Sequence, residues 1–179
     1  MGNAQMKQWI SILYTVLLAT GGLACTKTTI PDIGWSFDLP AAYKPAPVPA
    51  FGHDVSIIRF KRKPIVDASG MAIHPNVGIV IENVPDGTDV VLFSASKRRF
   101  KVLEVYSPTS GIFSINAIGY LAEYSETLDG ETYSHRIYVL HAVQGTNGIE
   151  IILDATASVY TDVQGEFLTV LKSLKPDRS

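Results

Sequence analysis

Asp129-Gly130 constrains this chain more than any other pair of residues. A type I′ turn needs positive φ at both central positions, and Asp-Gly meets that need at low steric cost. A two-residue turn there sets Leu128 against Glu131 and fixes the register beyond it. Tyr124 then faces His135, Glu123 faces Arg136 and Leu121 faces Tyr138. The Glu–Arg pair adds about 0.2–1 kcal/mol, enough to favour the register but not to hold a fold.

The rest of the chain reads outward from this hairpin. Strands are expected at about 101–107 and 112–126, before the turn. Asn147-Gly148 marks a second hairpin leading into Ile149–Ala157. Upstream, Ile33 to Asp38 alternates apolar with small or polar residues, as a half-buried strand does, and Pro40 ends it. Pro45 to Pro49 cannot pair inside a sheet and should run extended over the surface. Val55–Arg62 and Val77–Val84 are two more strands, with Asp67-Ala68-Ser69-Gly70 a turn between them.

Two segments change to helical spacing. Leu92, Phe93, Ser96 and Phe100 fall on one helical face, with Thr88 as N-cap and Lys97, Arg98 and Arg99 suited to the last turn. Val90-Val91 weakens this helix, because β-branched residues lose rotamers there. Val163, Phe167, Val170, Leu171 and Leu174 recur at helical spacing up to Pro176, with Ser158 or Thr161 as cap. The order is three strands, a helix, a four-strand meander and a closing helix. It predicts one α+β domain over residues 33–176, an antiparallel sheet of about six to seven strands flanked by helices.

This order resembles the domain of the photosystem II extrinsic protein PsbP and its bacterial relatives. Gly34-Trp35-Ser36-Phe37-Asp38-Leu39-Pro40, followed by Tyr43, is similar to that family's opening strand. Glu166-Phe167 through Leu171-Lys172-Ser173-Leu174-Lys175 is similar to its closing helix. The resemblance implies an α/β/α sandwich with binding or assembly-assisting roles and no shared catalytic site. No photosystem-specific feature is visible, so the resemblance carries over no functional residue.

The N-terminus carries an address. Lys7 is a short basic region, Ile10 to Ala19 is an apolar run, and Gly21-Gly22-Leu23-Ala24 supplies small residues for a signal peptidase. The run is shorter than the roughly 20 residues a membrane-spanning helix needs, so residues 1–24 read as a cleaved signal peptide. Cys25 is the only cysteine and has no disulfide partner in the chain. Leu23-Ala24-Cys25 resembles the lipobox of bacterial lipoproteins, which implies acylation of Cys25, with 25–32 as a tether. Gly22 stands where that motif usually has Leu, and Gly22-Leu23-Ala24 also fits ordinary cleavage. The unpaired thiol favours lipidation, and each buried CH₂ contributes about 0.8 kcal/mol to anchoring. Thr26 after the cysteine favours the outer membrane by the sorting rule of that class. The expected location is the periplasmic side of the cell envelope.

Charge and motif content narrow the chemistry. The formal charge of −2 becomes about −3 once Lys7 is removed, which argues against a nucleic-acid binder. Of the histidines, His53 and His74 sit near or in loops, and His135 and His141 share a strand face. Six residues separate the last two by roughly 20 Å, so they cannot hold one metal ion. No metal and no cofactor is expected. A two-residue turn at Asn147-Gly148 would set His141 against Asp154, a dyad for a small hydrolase. A four-residue turn from Gly145 would set His141 against Ile152 instead. No nucleophile elbow accompanies either.

Tyr120, Tyr124 and Tyr133 share a hairpin face with His135, a candidate binding surface for a peptide or glycan, or else aromatic cover for a core edge. Lys61-Arg62-Lys63 and Lys97-Arg98-Arg99 with Lys101 suit either solvent or anionic headgroups. The expected function is a lipid-anchored, non-enzymatic binding or assembly-accessory domain with an envelope protein or peptide as partner. The alternatives are the His141/Asp154 hydrolase and a structural subunit of an envelope complex, which would need a large apolar surface.

Overall fold

The computed structural model describes residues 23–48 and 55–176. The signal region before Leu23 and His53 lie outside the described residues, as does Pro49 of the proline stretch. Twelve strands appear in chain order: β1 (Cys25–Ile30), β2 (Trp35–Pro40), β3 (Tyr43–Pro45), β4 (Val55–Arg62), β5 (Ile65–Val66) and β6 (Ala72–Ile73), then β7 (Asn76–Asn83), β8 (Lys101–Tyr106), β9 (Ala117–Leu128), β10 (Glu131–Gln144), β11 (Asn147–Thr156) and β12 (Lys175–Pro176). Helix α1 (Val90–Lys97) precedes β8, and helix α2 (Tyr160–Ser173) follows β11.

Seven strands form the main antiparallel sheet in the order β3-β4-β7-β11-β10-β9-β8. Strands β8 to β11 are the expected meander. Asp129 and Gly130 both have positive φ, 52° and 85°. The predicted register holds: Leu128 faces Glu131, Tyr124 faces His135, Glu123 faces Arg136 and Leu121 faces Tyr138.

The two faces of the sheet differ in cover. One face presents Val77, Ile79, Ile81, Leu140, Ile151 and Leu153, all buried. Helix α2 and the small sheet β1-β2-β12 close over it. The predicted stripe Val163, Phe167, Val170, Leu171 and Leu174 is wholly buried there. Each such side chain contributes about 1.5–3 kcal/mol on leaving water. Arg62 and Glu166 tie β4 to α2 through two parallel bonds of 2.8 Å. The Tyr43 hydroxyl is buried beside this pair without a hydrogen-bond partner. Its burial, with the Glu166 charge, pushes its pKa up. Among the described residues, the other face carries the short helix α1 over a smaller cluster of Tyr120, Ala122, Ile137 and Val139.

Several local expectations are corrected. The segment expected as a tether begins with a strand: β1 pairs with β2 from Cys25↔Pro40 to Ile30↔Trp35. Its Thr-Lys-Thr-Thr-Ile run has the β-branched content that suits a strand. A 3-10 turn, Pro31–Ile33, then replaces the expected start of the next strand. The cap of α1 is Asp89, whose carboxylate accepts from the amides of Val91 and Leu92, and not Thr88, which bonds back to Pro85. Helix α1 also turns a different face inward. Phe93 and Ser94 are buried, whereas Leu92 is 70% exposed. The cap position of α2 is Val159, which makes no side-chain bond, so neither Ser158 nor Thr161 caps it.

The second hairpin turns at Gly145-Thr146, because Gln144 pairs with Asn147. Gly145 supplies the positive φ, 60°. Gly148 serves packing instead. A Cβ there would meet Phe93 Cε2 at 2.6 Å and Val84 Cγ1 at 2.8 Å.

Among the described residues no helix is long and apolar enough to cross a membrane, and no cluster of side chains could hold a metal ion.

Candidate functional site

The register of the second hairpin decides which polar groups meet. His141 faces Glu150, not Asp154, so the expected hydrolase pair does not form. Ile152, the other expected partner, faces Val139. His141 is fully buried beneath α1. Its Nε2 lies 3.0 Å from Glu150 Oε1, and its Nδ1 lies 2.9 Å from Ser94 Oγ. Ser94 Oγ in turn lies 2.6 Å from the Tyr120 hydroxyl. An ionised carboxylate only accepts, so Nε2 carries the proton and donates to Glu150. Nδ1 then accepts from Ser94, and Ser94 accepts from Tyr120. Every group in the chain is satisfied by one proton order. This is a Ser–imidazole–carboxylate sequence, but Ser94 is 1% exposed and roofed by its own helix. The arrangement pins α1 to β9, β10 and β11. Tyr120, expected on the binding surface, is 5% exposed and belongs to this buried chain.

Tyr124, Tyr133 and His135 lie lower on the same face, where α1 does not reach. The imidazole of His135 stacks on Tyr124 with ring centroids 4.6 Å apart and planes at 21°. Asp154 completes the group. Its Oδ1 accepts from His135 Nδ1 at 2.8 Å, and its Oδ2 accepts from the Tyr124 hydroxyl at 2.8 Å. On the other side of the ring, Nε2 lies 3.2 Å from Glu126 Oε1, an ion-pair contact without hydrogen-bond geometry. The bond to Asp154 and the two negative charges raise the His135 pKa against the opposing pull of burial. Burial raises the Tyr124 pKa, and the Asp154 charge and hydrogen bond add to it, so its hydroxyl keeps its proton.

Three adjoining cavities meet at Tyr124. The largest, about 770 Å³, lies between the Arg98–Lys101 segment and strands β9 and β10. The second, about 570 Å³, runs under Arg99 and Phe100 to Ile152 and Asp154. The third, about 510 Å³, extends past His135 to Arg59, Lys61 and the β5–β6 hairpin, and Tyr133 lines it. Together they make an open groove across the half of the sheet that α1 leaves bare. Tyr133 is half-buried, its hydroxyl bonded to Glu131 at 2.7 Å.

The first hairpin therefore brought Tyr124 and His135 together as expected. Asp154 was missed as their partner because the second hairpin was read with its turn two residues late. A two-residue turn at Gly145-Thr146, which neither expected turn matches, places Thr156 opposite His135 and Asp154 diagonal to it, and Gly145 is the signal that could have found it. The basic clusters divide. Arg62 is consumed by Glu166, whereas Lys61, Arg98, Arg99 and Lys101 line the groove. His74 stands in the third cavity with its Nδ1 3.1 Å from the Arg62 carbonyl. Cys25 is exposed at the start of β1. Its thiol pKa is raised by partial burial and by Asp38 and Glu166, the opposite of a reactive thiolate site.

No protein-family model matches the sequence, and no curated protein is significantly similar to it. Solved structures are similar. Mog1p, a Ran-binding protein of Saccharomyces cerevisiae, superposes with a TM-score of 0.55 at 8% identity, covering 87% of this chain and 97% of its own. The cyanobacterial PsbP (CyanoP) of Synechocystis sp. PCC 6803 gives 0.54 at 13% identity, covering 88% and 95%. A protein of Bacteroides thetaiotaomicron gives 0.51 at 10% identity over 86% of this chain, which spans about half of that longer protein, 48%. At such identities the likeness is one of architecture: the chain has the α/β/α sandwich fold of PsbP and Mog1p.

Proposed function

We propose that this is a lipid-anchored protein of the bacterial cell envelope whose domain is a non-enzymatic binding or assembly-accessory module for a protein or peptide partner. The observation that carries the binding role is the groove centred on Tyr124, His135 and Asp154. Its polar groups are bonded to one another in a fixed array, as a recognition surface requires. A fold neighbour, Mog1p, is itself named as a Ran-binding protein, which supports a protein partner for this architecture.

The anchoring role rests on the sequence around Cys25 and on the exposure of that residue. Because β1 starts at Cys25, an acyl chain on its sulfur would hold the domain directly against the lipid, with no slack between them. Intact-mass measurement of the protein purified from membranes tests this. The expected result is loss of residues 1–24 and an added mass of acyl chains that disappears in Cys25→Ser. A free thiol, or an intact Met1, overturns the anchoring. Partner capture from envelope extracts by wild type but not by Tyr124→Ala tests the groove.

A further inference from the structure

We propose that the groove recognises an acidic peptide in extended form. The inference deepens the binding role given above and rests on it.

The argument is a charge balance inside the groove. Each carboxylate of its lining already has a partner. Glu123 pairs with Lys101 at 2.7 Å and with Arg136 at 3.5 Å. Asp154 and Glu126 flank His135, and Glu150 bonds His141. Among the described residues, Arg59, Lys61, Arg98 and Arg99 have no ion-pair partner and all four line the cavities, so they outnumber the two carboxylate charges that one charged His135 and a neutral His141 leave uncancelled among Glu126, Glu150 and Asp154. The chain as a whole carries −2, so this positive excess is local to the groove. A cleft with one sign of charge concentrates ligands of the other sign.

The cations also stand apart in a way that suits a chain. Arg59 lies on β4 and Arg99 beside β8, at opposite ends of the groove. Five strand spacings separate these strands in the sheet, roughly 20–25 Å. An extended peptide covers that span with about seven residues. Between the two ends Asn76, opposite Asp154, lines the groove with a side chain that can bond a peptide backbone.

Two other anionic or aromatic-binding classes fit less well. A sugar ring wants a free aromatic face, but one face of Tyr124 is covered by His135. An anionic bilayer would meet the β9–β10 hairpin, which extends beyond the His135–Tyr124 pair and carries Glu126, Asp129 and Glu131.

The test is fluorescence anisotropy with the purified full chain in detergent and three labelled 12-residue probes, rich in Glu, Ser or Lys. The Glu probe should bind best and weaken as salt rises. Arg98→Ser/Arg99→Ser and Arg59→Ser/Lys61→Ser should each weaken it about tenfold or more, whereas Lys172→Ser, exposed on α2 behind the sheet, should not. Circular dichroism of each variant secures the fold. Equal loss in Lys172→Ser, or no binding of the Glu probe, overturns the inference. Equal binding of the Ser probe, unaffected by the arginine variants, overturns the charge rule yet leaves the groove a peptide site. Displacement of the Glu probe by phosphatidylglycerol vesicles that bind at the same arginines assigns the groove to a headgroup and overturns the peptide reading.

Discussion

His135 is the residue on which the electrostatics of the groove turn. Its ring is held between Asp154 and Glu126 and stacked on Tyr124, and the Arg59 charge opposes these carboxylates at Tyr124. These carboxylates favour the imidazolium and raise its pKa in the folded protein. A raised folded pKa means that the folded state binds a proton the unfolded state releases more readily. The stabilisation is therefore complete below the unfolded histidine value of about 6.5 and fades as pH rises through the folded value. Urea denaturation of wild type and His135→Asn between pH 5 and pH 9 checks this. Wild type should exceed the variant most at pH 5, and the gap should shrink steadily on the alkaline side. A gap that stays flat would show that folding leaves the ring's pKa unchanged, and one that widens with pH would show that the ring is held neutral; either overturns the prediction.

At the scale of elements, α1 is the instructive case. It has eight residues, begins with two valines and is held by two side chains, Phe93 and Ser94. The floor beneath Phe93 is Gly148, and that contact explains why one hairpin was legible in the sequence and the other was not. Asp129-Gly130 and Asn147-Gly148 carry the same local turn signal, but Gly148 is small because an aromatic ring lies on it. A local turn rule has no access to a neighbour 55 positions away. Strand β1 was missed for a related reason, since its partner β2 lies beyond a Pro-containing turn. The long strands and α2 were readable because their periodicity is set by one buried face along their whole length. Of the groove, the aromatic pair was readable and the leftover arginines were not, because a count of ion pairs exists only once the sheet is assembled. The packing account makes a definite claim. Gly148→Ala should destabilise the protein by about 1–3 kcal/mol through overpacking. Phe93→Leu removes the clashing ring edge, so the double variant should be less unstable than the two single losses combined. Denaturation midpoints measure all four corners of the cycle, and strict additivity would refute direct contact.

For the molecule as a whole, the unequal cover of the two sheet faces implies unequal stability. One face buries a continuous core of α2, β2 and the central strands, while the other holds α1 over a much smaller cluster. An isolated helix shorter than about 12–15 residues is marginal in water, so α1 depends on Phe93, the Tyr120–Ser94–His141–Glu150 chain, the Asp89 cap and the Lys97–Glu82 ion pair. Opening it exposes little apolar surface beyond Phe93, whereas opening α2 exposes Val163, Phe167, Val170 and Leu171 together. The free energy of local opening should follow that difference. Native-state hydrogen exchange therefore has a predicted order. Amides near the end of α1 should exchange through local opening insensitive to low denaturant, and those of α2 from Phe167 to Leu171 only with global unfolding. Ser94→Ala should hasten exchange in α1 and leave α2 protection unchanged apart from any loss in global stability. Equal protection of the two helices would mean that both faces unfold as one unit. Because the groove begins where α1 ends, at Arg98 and Arg99, the predicted order also makes its upper wall easier to move than the α2 side of the sheet. An acidic peptide bound to those arginines should raise protection in α1 before it affects any other element.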